Sequence, residues 1–236
     1  MVHLREPLDR LYARFDRAGQ IADPVERVRQ YDDPADREIA GFVAAGLAFG
    51  RVASVLASID RIFGSMGSSP AAFVRAFDVS RDRVRLAGCR HRWVGPDDLA
   101  ALFVVLRHML ERSGSLEAYF LEGDRPECPD IGPALDAFCE RARLVPIHTV
   151  YGTRPARPGV HRFFSRPSAG SACKRLNLFL RWMVRRDDVD LGVWPRVSPA
   201  RLVIPLDVHV IRVARCLGLT RYRSPGWRMA ADIKAA

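Results

Sequence analysis

Leu4, Leu8, Leu11, Tyr12 and Phe15 recur at three- and four-residue steps, which predicts an amphipathic helix over residues 4 to 18. The stretch 34 to 49 opens with Asp36 and Glu38, acids that suit the positive end of a helix. It continues through an alanine-rich interior that allows close packing, so it predicts a buried helix. The pattern repeats over 52 to 63. Gly67-Ser68-Ser69-Pro70 then ends one helix and starts another, with Ser69 as cap and Pro70 in the first turn. Further helices are predicted over 99 to 112, opened by Gly95-Pro96-Asp97-Asp98 and closed by Ser113-Gly114-Ser115, over a short segment reaching Phe120, and over 131 to 143. No segment before residue 145 alternates apolar and polar positions with a two-residue period between turns, so sheet content should be low and the fold class is all-α.

Residues 144 to 170 break the pattern. Pro146, Pro155, Pro158 and Pro167 are interspersed with Gly152, Gly159 and Gly170, which predicts a long ordered loop. It carries His148, Tyr151, His161, Phe163 and Phe164, rings that either line a pocket or, on the simpler reading, pack beneath the loop. Beyond it, Leu176, Phe179, Leu180, Met183 and Val184 form the apolar stripe of a helix capped by Ser171. A second helix follows Ile204-Pro205-Leu206-Asp207: Pro205 forces an extended entry, Asp207 caps, and Val210, Val213, Ala214 and Leu217 form the apolar positions. The organisation expected is a mildly acidic helical lobe over 1 to 143, a Pro/Gly-rich loop over 144 to 170, and a basic helical part over 171 to 236. Two lobes would then share a central cleft.

Charge sharpens that division. The 236 residues carry a net charge of +10, but residues 1 to 140 hold 18 basic and 22 acidic side chains, whereas residues 141 to 236 hold 19 and 5. A positive field confined to one part of the chain points to a polyanion, with DNA as the expected partner and RNA as the other polyanion of the same chemistry. The competing reading is a solvated basic surface. With 48% apolar residues the chain can bury a sizeable core without staples. Five scattered cysteines with no C-x-x-C pair argue against a disulfide framework and a clustered metal site, so a reducing compartment and no metal are expected. The charged N-terminus and the absence of a long apolar run predict neither secretion nor membrane insertion, hence a cytoplasmic location. No cofactor is implied, and a monomer is the expected state.

Of the 37 basic residues, only Lys174 and Lys234 are lysine. Where charge alone suffices this chain uses arginine, so the interior Lys174 marks a place where an amine able to lose its proton is needed. It falls in the first turn of its predicted helix, where the dipole disfavours a cation, and a neutral amine is a nucleophile. Asp207, at the start of the next helix, is a carboxylate held ionised and able to face a developing positive charge, if it is more than a cap.

Leu206-Asp207-Val208-His209-Val210, followed by Arg212, resembles the catalytic-aspartate segment of the helix-hairpin-helix DNA glycosylases. In those enzymes a lysine in the second helix of the hairpin completes the bifunctional site. Lys174 occupies a comparable place, and its separation from Asp207 is similar to that of archaeal 8-oxoguanine glycosylases. Nearly the whole chain also looks like a family of bacterial proteins classed only as a domain of unknown function. The stretches that carry this likeness are Tyr31 to Glu38, Ala48 to Arg51, His91-Arg92-Trp93, Lys174 to Asn177, Leu180 to Arg185, Asp190 to Trp194 and Pro205-Leu206-Asp207.

The glycosylase resemblance implies a base-excision enzyme with lyase activity that extrudes a damaged base. Lys174 would attack C1′ and Asp207 would stabilise the transition state, with His209 and Arg212 supporting. Arg162, Arg166, Arg175, Arg181, Arg185 and Arg186 would hold phosphates, and Phe163, Phe164, Trp182 or Trp194 would stack on the base. This sequence departs from the glycosylase pattern at the hairpin turn Leu-Pro-Gly-x-Gly, where it has Pro167-Ser168-Ala169-Gly170, and it lacks the four-cysteine iron–sulfur loop of some members. The bacterial family continues beyond residue 236, so helices that close its core are expected to be missing here. The alternatives are a non-catalytic nucleic-acid-binding or repair-accessory protein on the same scaffold and, behind it, a helical enzyme acting on another polyanion.

Overall fold

The computed structural model describes residues 5–15, 23–152 and 159–236, so Leu4, Pro155 and Pro158 and the side chain of Phe15 lie outside it. Thirteen α-helices follow in chain order among the described residues: α1 (Arg5–Phe15), α2 (Val25–Arg29), α3 (Pro34–Leu47), α4 (Val52–Met66), α5 (Pro70–Arg75), α6 (Val79–Asp82), α7 (Pro96–Ser113), α8 (Leu116–Leu121), α9 (Gly132–Leu144), α10 (His148–Tyr151), α11 (Lys174–Val184), α12 (Val208–Cys216) and α13 (Trp227–Ala235). No strand occurs among these residues, only two isolated bridges, so the protein is all-α.

The centre is α3, whose residues from Glu38 to Leu47 are all buried and whose most extensive packing is against α11. Glycine makes that approach possible: a Cβ on Gly41 would lie 2.8 Å from Met183 Cε, and one on Gly46 would lie 2.7 Å from the Phe163 ring. On the facing side of α11, Leu176, Phe179, Leu180, Met183 and Val184 are buried as their spacing predicts. A single apolar cluster runs from Val25 to Ala230, drawing residues from both the acidic and the basic parts of the chain.

One acid at the entry of α3 caps it, and two acids on α3 position other elements. Asp33 caps α3 by accepting from Ala35 N at 2.8 Å. Asp36 accepts from Ala71 N (2.7 Å) and Ser69 Oγ (2.9 Å), joining the capped start of α5 to α3. Glu38 accepts from the amides of Leu116 and Glu117 at the start of α8 and from Trp194 Nε1. Asp36 and Glu38 thus serve neighbouring elements rather than the dipole of their own helix, and burial pushes the Glu38 carboxyl up despite its three donors.

Periodicity places these helices but leaves open how far their apolar stripes are covered. The stripe of α1 is not core: Leu8, Leu11 and Tyr12 are each close to half exposed, with the Tyr12 hydroxyl donating to Asp187. The stripe of α12 is only partly covered, with Ala214 buried and Val210 packed against the main cluster while Val213 and Leu217 are exposed. Residues 144 to 170 contain α10 and a 3-10 turn (Gly159–Arg162), and they bury Val160, Phe163 and Phe164 against the main cluster. Both rings are therefore packed in the core, and Phe163 also borders a cavity.

Candidate active site

Lys174 is the first residue of α11. The helix begins later than its sequence suggests, because Cys173 occupies the capping position in a left-handed conformation (φ 48, ψ 35) and Ser171 Oγ accepts from Cys173 N outside the helix. Left-handed backbone at a non-glycine residue is costly and persists only where its surroundings enforce it. Here the Cys173 carbonyl accepts from Asn177 N at 2.8 Å, and its buried thiol donates to Ser165 O, as does that of Cys139. Burial pushes the Cys173 thiol up to about 12, so it is a packing group and not a nucleophile.

Asp207 caps α12 as predicted. Its Oδ1 accepts from His209 N and Val210 N, each at 2.9 Å, and its Oδ2 lies 3.5 Å from Lys174 Nζ. The starts of two helices, joined only by the long irregular connection after α11, thus bring amine and carboxylate together. Neither is sealed: the side chains are 42% and 32% exposed. Partial burial pushes the Asp207 carboxyl up, but the Val210 and His209 amides and the nearby Lys174 charge outweigh it, and the net shift is downward. A carboxylate so placed stays ionised at neutral pH. Beside the pair is a cavity of about 240 Å³ lined by Arg162, Phe163, Ser165, Lys174 and Arg175 among others.

The other candidates separate into three groups. His209 and Arg212 are exposed on α12, beyond the cap. Of the six arginines, four are committed within the molecule. Arg166 pairs with Asp136 (2.6 Å) and Glu140 (3.1 Å), Arg181 with Asp190 (2.9 Å), and Arg185 with Asp187 (2.6 Å) and Asp190 (3.4 Å). Arg175 donates to the carbonyls of Gly46 (2.8 Å) and Arg162 (2.6 Å). Arg162 and Arg186 are exposed and have no carboxylate within ion-pair distance among the described residues. The four stacking candidates are core: Phe163, Phe164, Trp182 and Trp194 are each at most 3% exposed, and Phe163, though it borders the cavity, has too little open surface to stack on a base.

The turn Pro167-Ser168-Ala169-Gly170 before α11 is also self-contained. Ser168 N donates to Asp136 Oδ1, Ala169 N and Ser171 N to Arg166 O, and Gly170 N to Pro167 O, so the amides of residues 168 to 171 are all taken and none is left for a phosphate. It joins a single 3-10 turn, not a full helix, to α11. Among the described residues no three His, Cys, Asp or Glu side chains are grouped to hold a metal ion, and no helix is long and apolar enough to cross a membrane.

One group was not singled out by chemistry in the sequence. Phe49, Trp93 and Arg175, from three of the stretches that carry the bacterial-family likeness, meet beside Lys174. The Phe49 and Trp93 rings stack at 5.4 Å with 12° between planes, and Arg175 Cζ lies 5.2 Å and 5.5 Å from their centroids.

Fold and site together define an all-α protein with a half-exposed lysine–aspartate pair at the starts of two helices. The chain belongs to the family described as Protein of unknown function (DUF2400), whose profile matches residues 23–236. Comparison with curated proteins and with solved structures finds no match.

Proposed function

We propose that this protein is a DNA glycosylase-like base-excision enzyme with abasic-site lyase activity. The observation that carries this reading is the 3.5 Å approach of Lys174 Nζ to Asp207 Oδ2 with both groups open to solvent. A solvated lysine on a basic surface needs no ionised, amide-anchored carboxylate beside it; an amine that must release a proton and attack an electron-poor carbon does. In the reaction, the unprotonated Nζ attacks C1′ while the glycosidic C–N bond breaks and the base departs with the bonding pair. Asp207 faces the positive charge that develops on the sugar. Loss of the proton from nitrogen and opening of the sugar ring then give an imine. Exposed Arg162, Arg186 and Arg212 serve the phosphates, in place of the arginines already paired with carboxylates.

The second reading is a non-catalytic nucleic-acid-binding or repair-accessory protein. One observation favours it: the rings expected to stack on an extruded base are all sealed in the core. Borohydride trapping separates the two. Duplexes bearing single oxidised, deaminated or abasic sites are incubated with the protein and borohydride, which reduces an imine to a stable adduct. The expected result is an adduct that Lys174→Arg abolishes, since a guanidinium stays protonated. Tight DNA binding with no adduct and no cleavage on any lesion would leave only the accessory reading.

A further inference from the structure

Trp93 sits at the tip of a two-residue reversal in which His91 and Val94 exchange both backbone hydrogen bonds (2.9 and 2.8 Å). The reversal is anchored from beneath, where the buried His91 ring contacts Ser58 Oγ (3.0 Å) and Phe49 O (2.9 Å). Arg92 takes a left-handed conformation (φ 52) to make the turn, and Cys173, next to Lys174, is the other non-glycine residue among those described with positive φ. This construction places a partly exposed indole at the edge of the core, stacked on the partly exposed ring of Phe49.

The charges around the rings are unbalanced. The Arg162 guanidinium lies 4.9 Å from the Trp93 centroid and Arg175 lies over both rings, yet among the described residues neither arginine nor the exposed Arg92 has a carboxylate within ion-pair distance. Elsewhere in the basic part, Arg166, Arg181, Arg185, Arg196 and Arg201 are each neutralised by an acid, while Arg186 and Arg212, among the described residues, have neither an acid nor an aromatic ring beside them. Two guanidiniums crowded on one pair of rings repel each other, and an anion arriving between them relieves that repulsion. Arg162 is exposed, so it can leave the indole face, freeing the ring for a planar partner while its own fork turns to a phosphate. A planar ring joined to an anionic group is a nucleotide. Because Arg162 and Arg175 line the same cavity as Lys174, the site adjoins the lysine of the pair.

We infer that the Phe49–Trp93 stack with Arg162 and Arg175 is a binding site for an unpaired nucleotide, its base on Trp93 and its phosphate on Arg162 beside Arg175. This deepens the base-excision reading by supplying a partly exposed stacking ring that the four core aromatics do not, and it rests on that reading for the identity of the strand as DNA.

The test needs no lyase chemistry. Binding of the full chain to an eight-residue thymidine oligonucleotide is compared, by fluorescence anisotropy, with binding to an oligomer of equal phosphate number built from stable tetrahydrofuran abasic analogues. Wild type should prefer the base-bearing oligomer by about fivefold to a hundredfold, the range of one base stacked on an aromatic ring. Trp93→Leu should abolish the preference while changing affinity for the abasic oligomer by less than about twofold. Trp93→Phe keeps a ring and should retain the preference, but the quenching of tryptophan fluorescence by the thymidine oligomer, present in wild type, should fall sharply. This second readout stands even if the leucine variant does not fold. An unchanged preference in folded Trp93→Leu, no preference in wild type, or undiminished quenching in Trp93→Phe would overturn the inference. Base-dependent binding without any borohydride adduct would leave this site standing and remove the lyase; an adduct without base-dependent binding would do the reverse.

Discussion

Asp207 carries two roles that one pair of substitutions can separate. As a cap, its Oδ1 accepts two amide hydrogen bonds at 2.9 Å; as a charge, its Oδ2 faces Lys174 at 3.5 Å. Asparagine caps a helix about as well as aspartate, so Asp207→Asn retains the first role and loses the second. Asp207→Ala loses both. The difference between the two variants is therefore the cap, about 1 kcal/mol, which for a chain of this size lowers Tm by about 2–4 °C. The ion pair adds little to either, because both side chains are substantially exposed and such pairs contribute at most about 1 kcal/mol. Activity should divide differently: both variants should trap an imine about a hundredfold or more slowly, the cost of removing one preorganised electrostatic partner. Thermal melting by circular dichroism and single-turnover borohydride trapping read the two effects. Equal melting of the two variants would refute the capping argument, and trapping by Asp207→Asn at the wild-type rate would refute the charge argument.

Glu38→Ala should lower stability by about 3 kcal/mol or more, since it strands two buried amides and the Trp194 indole N–H; the midpoint of urea unfolding measures this. Acid lability should trace in part to Asp136. Burial pushes its carboxyl up, but the bonds from Arg166 and Ser168 prevail and bring it down to about 2. Being depressed, it contributes stability that is present above the ordinary carboxylate range near 4 and lost as pH falls through about 2. Asp136→Asn should flatten the decline of urea midpoint between about pH 4 and 2, and an unaltered slope would contradict it. On DNA, Arg212→Ala and Arg186→Ala should each reduce the slope of log affinity against log salt by about 1. Arg181→Ala should instead lower the melting temperature, because it leaves part of the charge on buried Asp190 unmatched.

How much of this was legible in the sequence depends on whether a residue's partner is local. Helix existence and most caps were, because apolar spacing and cap chemistry act within a few residues: Ser69 and Asp207 cap where expected. The buried face of α11 follows the same rule. The Lys174–Asp207 approach came from a motif resemblance and not from periodicity. What spacing left open was the burial of a peripheral stripe, as in α1 and α12, since it says which side of a helix is apolar and not whether anything covers it. Nor could arginine counting tell paired from unpaired cations: the acids that neutralise Arg166 and Arg201 lie 26 to 77 residues away. The Phe49–Trp93–Arg175 group had one signal, that its members lie in stretches already set apart by likeness to the bacterial family, but nothing in those stretches says that they touch.

The two carboxylates that α3 extends to α5 and α8 constrain the order in which this chain can assemble. Helices of six residues do not persist alone in water, and the acceptors that organise their first turns come from a helix 33 to 79 residues earlier in the chain. Docking of residues 34 to 47 must accompany or precede their formation, so α5, α8 and the Trp194 segment should appear together in a refolding experiment, and fragments lacking the central helix should be cleaved at all three places.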